Sequence, residues 1–413
     1  MRYGGGVGSL FKGSTRFGGF STLLVNSTQF LKGGEKMKRF LVLILLAMIV
    51  AYAISAETIK IGFFAPLTGF AAADGTSALH GAQLAIKLIN SKGGVNGKEL
   101  ELVYYDDALK ADQAVSIAYK LVQKDKVVVA ISGSYSGTTR AAAGIFQQLK
   151  VPMISAYAVH PQITATGDYI FRVGTLATVQ GRAGAHLAVE KIGAKKIAVL
   201  VMDNDFGVSL AKAFVEEAKK LGAEIVYEEK YPLGEKDFRA LLLAIKKLDP
   251  DAIYATAYYS EAAHIVTQAK ELGIYVPIIG QEGYDSPKFI ELAKNHAANG
   301  TVITTDLDRD SEDETVQWFI KTYKETYGID ADMVAASAFD AVVIAAKAIE
   351  LGGETPEGVK KGLSMIKEIE GTVTGFKGFT EKREAMREIT CQVVIGNRFH
   401  YFWKITDPEI TTP

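Results

Sequence analysis

The chain has 413 residues, 48% of them hydrophobic, with 46 basic and 47 acidic side chains; seven of the basic and one of the acidic residues fall in the first 56 positions, leaving a formal charge of −7 on the other 357. An acidic body of that size excludes a nucleic-acid partner drawn in by general positive charge, and it exceeds one comfortable hydrophobic core, so two lobes are expected. The single cysteine, Cys391, excludes an internal disulfide framework and every multi-cysteine zinc or iron–sulfur pattern.

Residues 1–36 are glycine-rich and carry no sustained helix or strand period, so they read as disordered or as absent from the natural product. Met37 is a credible start, because Gly33-Gly34-Glu35-Lys36 resembles a purine-rich ribosome-binding stretch read as codons. Lys38-Arg39, the apolar run Phe40–Ile54 and Ser55-Ala56-Glu57 supply the charged, hydrophobic and small-residue regions of a secretory signal over 37–56. The run is shorter than the roughly 20 residues that span a bilayer, which favours export over a membrane anchor. With no cysteine nearby, lipid attachment at a mature amino-terminal cysteine is excluded, and the expected location is the periplasm or the extracytoplasmic surface.

From there strands and helices alternate. Ile59–Ala65 reads as a strand, Thr76–Asn90 as a helix, Leu100–Tyr105 as a strand, Ala111–Gln123 as a helix, Val127–Ile131 as a strand, Thr138–Leu149 as a helix and Val151–Ser155 as a strand. A second set follows: helix Ala183–Ile192, strand Ile197–Val201, helix Val208–Leu221, strand Glu224–Tyr227, helix Phe238–Lys247, strand Ala252–Tyr254, helix Glu261–Leu272 and strand Val276–Ile279. Helices at Glu314–Tyr327, Ala331–Leu351 and Pro356–Leu363 precede strands at Thr390–Ile395 and His400–Ile405. Such βαβ order predicts an α/β protein of two Rossmann-like three-layer lobes with mainly parallel sheets and a ligand cleft between them.

The pieces Ile59-Lys60-Ile61-Gly62, Pro66-Leu67-Thr68-Gly69, Gly93-Gly94-Val95-Asn96-Gly97 and Asp106-Asp107, followed by the serine-containing loop Ser134–Thr138, stand in one order over residues 57–405. In this the chain closely resembles the leucine/isoleucine/valine-binding family of periplasmic receptors for ATP-driven importers. The resemblance implies type I periplasmic binding lobes joined by a three-crossing hinge, roughly 57–177 with 306–385 and 178–305 with 386–413. It also implies an amino-acid-type ligand, a membrane permease as partner and no cofactor; a monomer in solution is expected.

The family holds the ligand carboxylate with a serine after strand four, which matches Ser136, and with a following loop, here Tyr157, Ala158 and Val159. It meets the ammonium with a glutamate after a second-lobe strand, matching Glu282, helped by a loop carbonyl matching Tyr157. Aromatic second-lobe positions map to Phe206 and Tyr258. Val159 stands where a threonine is usual, Phe206 replaces a common tyrosine, and Asp74 takes a side-chain-pocket position that is often aromatic. The chemistry is that of a zwitterion leaving water: its carboxylate needs directed donors and its ammonium an anion or carbonyls. Structural roles compete at each position: a solvent-facing loop for Glu282, helix capping for Ser136, capping of Gly75 or the next helix for Asp74, and interlobe packing for Tyr157, Tyr258 and Phe206.

Neither a nucleophile elbow nor a phosphate loop is present, and the six histidines form no compact metal motif, so an enzyme is not expected. His160 reads as a loop hydrogen-bonding residue and Cys391 as a buried strand residue. The alternative function is a ligand-binding sensor or receptor for an amide, a short peptide or another small polar solute, which Asp74 and Val159 both leave open.

Overall fold

The computed structural model describes residues 58–413 together with Val42; the expected extension 1–36 and signal segment 37–56 otherwise lie outside the described residues. The first sheet is built from β1 (Ile59–Ala65), β2 (Leu100–Asp106), β3 (Val129–Ser132), β4 (Met153–Ser155) and β5 (Ile170–Arg172) in the order β2-β1-β3-β4-β5, every pair parallel. Around it run α1 (Ala72–Ser91), α2 (Ala111–Tyr119) and α3 (Ser136–Leu149). Six of the seven β1 residues are buried, as a strand covered on both faces by helices requires.

The second lobe carries α4 (Ala177–His186), β6 (Lys196–Met202), α5 (Asp205–Lys220), β7 (Glu224–Tyr231), α6 (Arg239–Lys247), β8 (Ala252–Ala255), α7 (Tyr259–Glu271), β9 (Ile278–Gly280), α8 (Pro287–Leu292) and β10 (Val302–Thr305). After β10 come α9 (Glu314–Tyr327), α10 (Met333–Gly352) and α11 (Pro356–Met365), then β11 (Ile389–Ile395), β12 (Arg398–Ile405) and the short α12 (Pro408–Thr411). The second sheet has the order β12-β11-β10-β9-β8-β6-β7, with β11 antiparallel to both neighbours and the remaining pairs parallel.

Two short strands, β5 and β10, escape the periodicity reading, because three or four residues are too few to display a pattern. Helix starts also differ. α1 begins at Ala72 rather than Thr76, α3 at Ser136 rather than Thr138, α5 at Asp205 rather than Val208, and α4 at Ala177 rather than Ala183. These first turns contain small or polar residues with no apolar period, and tertiary packing supplies the stability that pattern does not announce.

Helix α4 packs on α5 in the second lobe, whereas α9 and α10 pack on α1 in the first, and α11 on α10. Gly81 makes the α1–α10 approach possible: a β-carbon there would lie 2.0 Å from the Ala335 carbonyl oxygen. The chain therefore passes between lobes after β5, after β10 and before β11, among the described residues.

One buried carboxylate joins those three passages. Asp306, just past β10, accepts from the Thr175 backbone N–H at 3.1 Å and from its hydroxyl at 2.5 Å. On its other side it forms a 3.0 Å ion pair with Arg387, both side chains 1% exposed. Arg172 at the end of β5 pairs with Glu384 at 2.7 Å, equally out of water. Buried pairs of this kind register segments against one another, since a charge left without its partner in the interior is costly.

The Pro66–Gly69 loop is likewise held by design. Asp106 accepts from the Leu67 and Ala108 backbone N–H groups, both at 2.8 Å, and from the Thr68 hydroxyl. Gly75 sits so close to this loop that a β-carbon would come within 2.1 Å of the Pro66 oxygen, which pins the first turn of α1 and with it Asp74.

Candidate functional site

Between the lobes lies a small cavity, about 290 Å³ of empty space including its mouth, lined by Asp74, Tyr135, Ser136, Tyr157, Ala158, Phe206, Tyr258, Glu282, Gly283, Met333 and Val334. Seven of the eight residues singled out from sequence line it. Val159 does not.

Ser136 is the first residue of α3, a helix that follows β3 and not the fourth strand. The competing capping role is not what its side chain does. The residue in the capping position is Tyr135, without a side-chain cap, and the Ser136 hydroxyl instead accepts from the Val159 backbone N–H at 3.2 Å. Val159 thus stands behind Ser136, and its backbone donor is committed to that oxygen rather than to a solute. What remains toward the cavity is the Ser136 O–H and the first turn of a 14-residue helix, where backbone N–H groups lack intrahelical acceptors and the helix dipole favours negative charge.

Glu282 begins a short 3₁₀ turn, Glu282–Tyr284, directly after β9 and is 4% exposed, not solvent-facing. Gln180 on α4 donates to its Oε2, and the same amide nitrogen donates at 3.2 Å to the Thr175 carbonyl. Burial pushes the Glu282 carboxyl well up, the Asp306 charge adds to this, and Gln180, Arg172 and Arg387 oppose it. Such a carboxylate gains most from a cation placed against it. The neighbouring Gly283 is required by space: a β-carbon would approach the Ala257 oxygen to 2.3 Å.

Asp74 lies in the first turn of α1 but caps nothing; the capping position is Ala71, without a side-chain bond. Its Oδ2 accepts from the Tyr135 hydroxyl at 2.7 Å, while Oδ1 is buried without a partner. Burial first, then Asp332, push its carboxyl up to about 8.

The aromatic residues form a stack that spans the cleft. Tyr135 of the first lobe lies on Tyr258 of the second at 3.9 Å between ring centroids and 10° between planes, and Phe206 continues the stack at 4.6 Å. Tyr258 and Phe206 thus pack between the lobes and line the cavity at once. Tyr157 meets Tyr135 edge-on at 6.4 Å and donates its hydroxyl to the Gly133 carbonyl at 2.7 Å. The Ala158 carbonyl is taken by Arg172 and by the Ser155 hydroxyl. Further contacts across the cleft are Arg140 to Asp205 at 2.7 Å and the Tyr259 hydroxyl to the Phe70 carbonyl at 2.8 Å.

Sequence reading missed Tyr135, Gln180, Met333 and Val334. Tyr135 adjoins Ser136 inside the loop already singled out, so proximity was a usable signal; the other three reach the site only through tertiary packing. His160 lines a separate groove with Asp203, Asn204 and Asp205, its Nδ1 accepting from the Gln162 N–H at 3.2 Å. Cys391 is fully buried on β11, and burial pushes its thiol up, away from reactivity.

Two α/β lobes closed over a small cavity, with helix-end donors on one wall and a buried carboxylate on another, define a two-lobed solute receptor. The chain belongs to the periplasmic binding protein family, whose model matches residues 58–395. Its relatives include the leucine-, isoleucine-, valine-, threonine- and alanine-binding protein of Pseudomonas aeruginosa, 33% identical over 85% of this chain and 93% of that protein. The Leu/Ile/Val-binding protein of Escherichia coli K12 is 33% identical over 63% of this chain and 72% of its own length. Among solved structures, the branched-chain amino-acid transporter substrate-binding protein of Streptococcus pneumoniae in complex with isoleucine superimposes with a TM-score of 0.79 at 31% identity, covering 84% of this chain and 99% of that one. A leucine-binding protein of Thermotoga maritima gives the same TM-score at 28% identity, over 85% and 100%. Proteins of this family bind solutes and are not catalysts.

Proposed function

We propose that the α3 amino terminus and the Ser136 hydroxyl receive the carboxylate of the solute, and that Glu282, oriented by Gln180 and helped by the Tyr157 carbonyl, receives its ammonium. The protein is an extracytoplasmic receptor for an amino-acid-type solute, serving an ATP-driven importer by closing its cleft. The observation that carries the residue assignment is the pairing, in one cavity, of helix-end donors from the first lobe with a buried carboxylate from the second. A zwitterion bridging them rewards closure, because each lobe alone satisfies only one of its charges.

In this reading the lobes, 57–177 with 306–385 and 178–305 with 386–413, move as units about the Thr175–Asp306–Arg387 cluster. The closed pair offers the permease a surface that the open pair lacks, the secretory signal over 37–56 delivers the chain outside the cytoplasm, and the receptor works as a monomer.

The test is calorimetric titration with the twenty amino acids, combined with small-angle scattering. Saturable binding of one solute per chain, compaction on binding and recovery of the solute unchanged support the proposal. Absence of binding to every amino acid, or conversion of the solute, would refute it.

A further inference from the structure

Asp74 has no task in holding the zwitterion's two charges, yet it is built into the same cavity. It is 4% exposed, its Oδ2 is fixed by the Tyr135 hydroxyl at 2.7 Å, and its Oδ1 is out of water without a hydrogen-bond partner. The backbone beneath it lies close against the Pro66 loop, which fixes the start of α1 from which the carboxyl projects. Tyr135 is itself held between Tyr258 and Tyr157. Of the polar side chains that line the cavity, namely Tyr135, Ser136, Tyr157, Tyr258 and Glu282, none hydrogen-bonds this oxygen, and Met333 and Val334 are apolar.

We infer that Asp74 Oδ1 exchanges a hydrogen bond with the distal end of the solute, so that the ligand is an amino acid whose side chain ends in a polar group, a hydroxyl, carboxamide or amine, rather than a branched alkyl group. The inference rests on the amino-acid reading above and narrows it. An alkyl side chain would keep the free oxygen away from water with nothing in return, which is the costly arrangement for a buried polar atom. A polar end group removes that cost only in the bound state, and sites built this way discriminate strongly against analogues that lack it. After burial, the acidic groups around Asp74, namely Asp332, Asp285 and Glu261, favour its protonated form, so that Oδ1 can donate as well as accept.

The test compares near-isosteric pairs that differ in the donor: threonine with valine, asparagine with leucine, lysine with norleucine, each titrated calorimetrically into the protein and into its Asp74→Leu and Tyr135→Phe variants. The donor-bearing member of at least one pair should bind the native protein tenfold or more tightly than its alkyl partner. Asp74→Leu should erase or reverse that ratio, and Tyr135→Phe should reduce it. Preference of the native protein for the alkyl member in every pair would overturn the inference while leaving the amino-acid reading intact. Binding of none of the six, when another amino acid does bind, would overturn it too, whereas failure of all amino acids removes the underlying reading itself. Because the ranking is measured first on the native protein, a variant that folds poorly does not decide the outcome.

Discussion

Tyr135 and Tyr258 lie on opposite lobes and stack face to face across the cleft, 3.9 Å between centroids. Such a contact is made in full only when the lobes are together, so it belongs to the closed form and helps set how far the equilibrium leans toward it. Offset aromatic pairs contribute about 0.5–1.5 kcal/mol beyond their buried area. Tyr258→Ala should weaken solute binding by about tenfold or more, since it removes both the stack and a cavity wall. Scattering of the saturated variant should show less compaction than the native protein; equal compaction and equal affinity would deny the stack any part in closure.

Glu282→Gln removes the charge that faces the solute ammonium while keeping shape and a partner for Gln180. The expected loss in affinity is at least tenfold, about 1.4 kcal/mol. Thermal unfolding of the solute-free variant should be unchanged or higher, because a buried carboxyl pushed well above its ordinary range costs the fold stability when it must ionise. An unaltered affinity would remove Glu282 from the charge recognition.

Asp74 yields a pH prediction whose sign is fixed. Its carboxyl is raised from its ordinary 3.8 to about 8, so between those values the folded chain keeps a proton that the unfolded chain has released. Its contribution to stability is complete below the lower value and disappears as the pH climbs through the upper one. Asp74→Asn abolishes this dependence. From pH 5 to pH 8 the variant should therefore gain on the native protein by about 3 kcal/mol in urea unfolding of the solute-free chains. A gap that stays constant with pH would show that Asp74 ionises normally in the fold.

The Asp306 cluster should behave as structural wiring. Asp306→Ala leaves Arg387 buried without its anion and Thr175 without its acceptor, and the expected destabilisation is about 3 kcal/mol or more. Because Gln180 bonds both the Thr175 carbonyl and Glu282, affinity should fall as well. Chemical denaturation and titration of the same sample check both effects; loss of stability with affinity fully retained would separate the hinge from the site.

Arg140 and Asp205 form the outer latch, and here the expectation is small. The pair is partly exposed, at 45% and 29% of side-chain area, and surface pairs are worth about 0–1 kcal/mol. Arg140→Ala should leave unfolding within about 1 kcal/mol and lower affinity only a few-fold, an effect that fades as salt is raised. A large, salt-insensitive loss would instead place Arg140 in direct contact with the solute.

Much of this molecule was written in local pattern. The β1 and β6 runs announce strands covered on both sides. The Gly93-Gly94-Val95-Asn96-Gly97 turn takes the left-handed backbone its glycines permit, with φ of 101°, 73° and 79° at Gly93, Gly94 and Gly97 and 52° at Asn96. The motif order located Ser136, Tyr157, Phe206, Tyr258 and Glu282 in one cavity because each follows a strand end, and strand ends of an open parallel sheet converge on its cleft.

What could not be read was the direction of individual groups. Val159, predicted to face the solute, instead donates its backbone N–H to Ser136, and Tyr135 went unremarked although it anchors both the stack and Asp74. The sequence by itself determined the alternation, hence the two lobes and the cleft, because periodicity and turn chemistry act over a few residues. Only the tertiary structure decided which donors are already spent, which carboxylates are buried and that Asp306 ties three distant passages together, since those outcomes depend on groups far apart in the chain meeting where water is excluded.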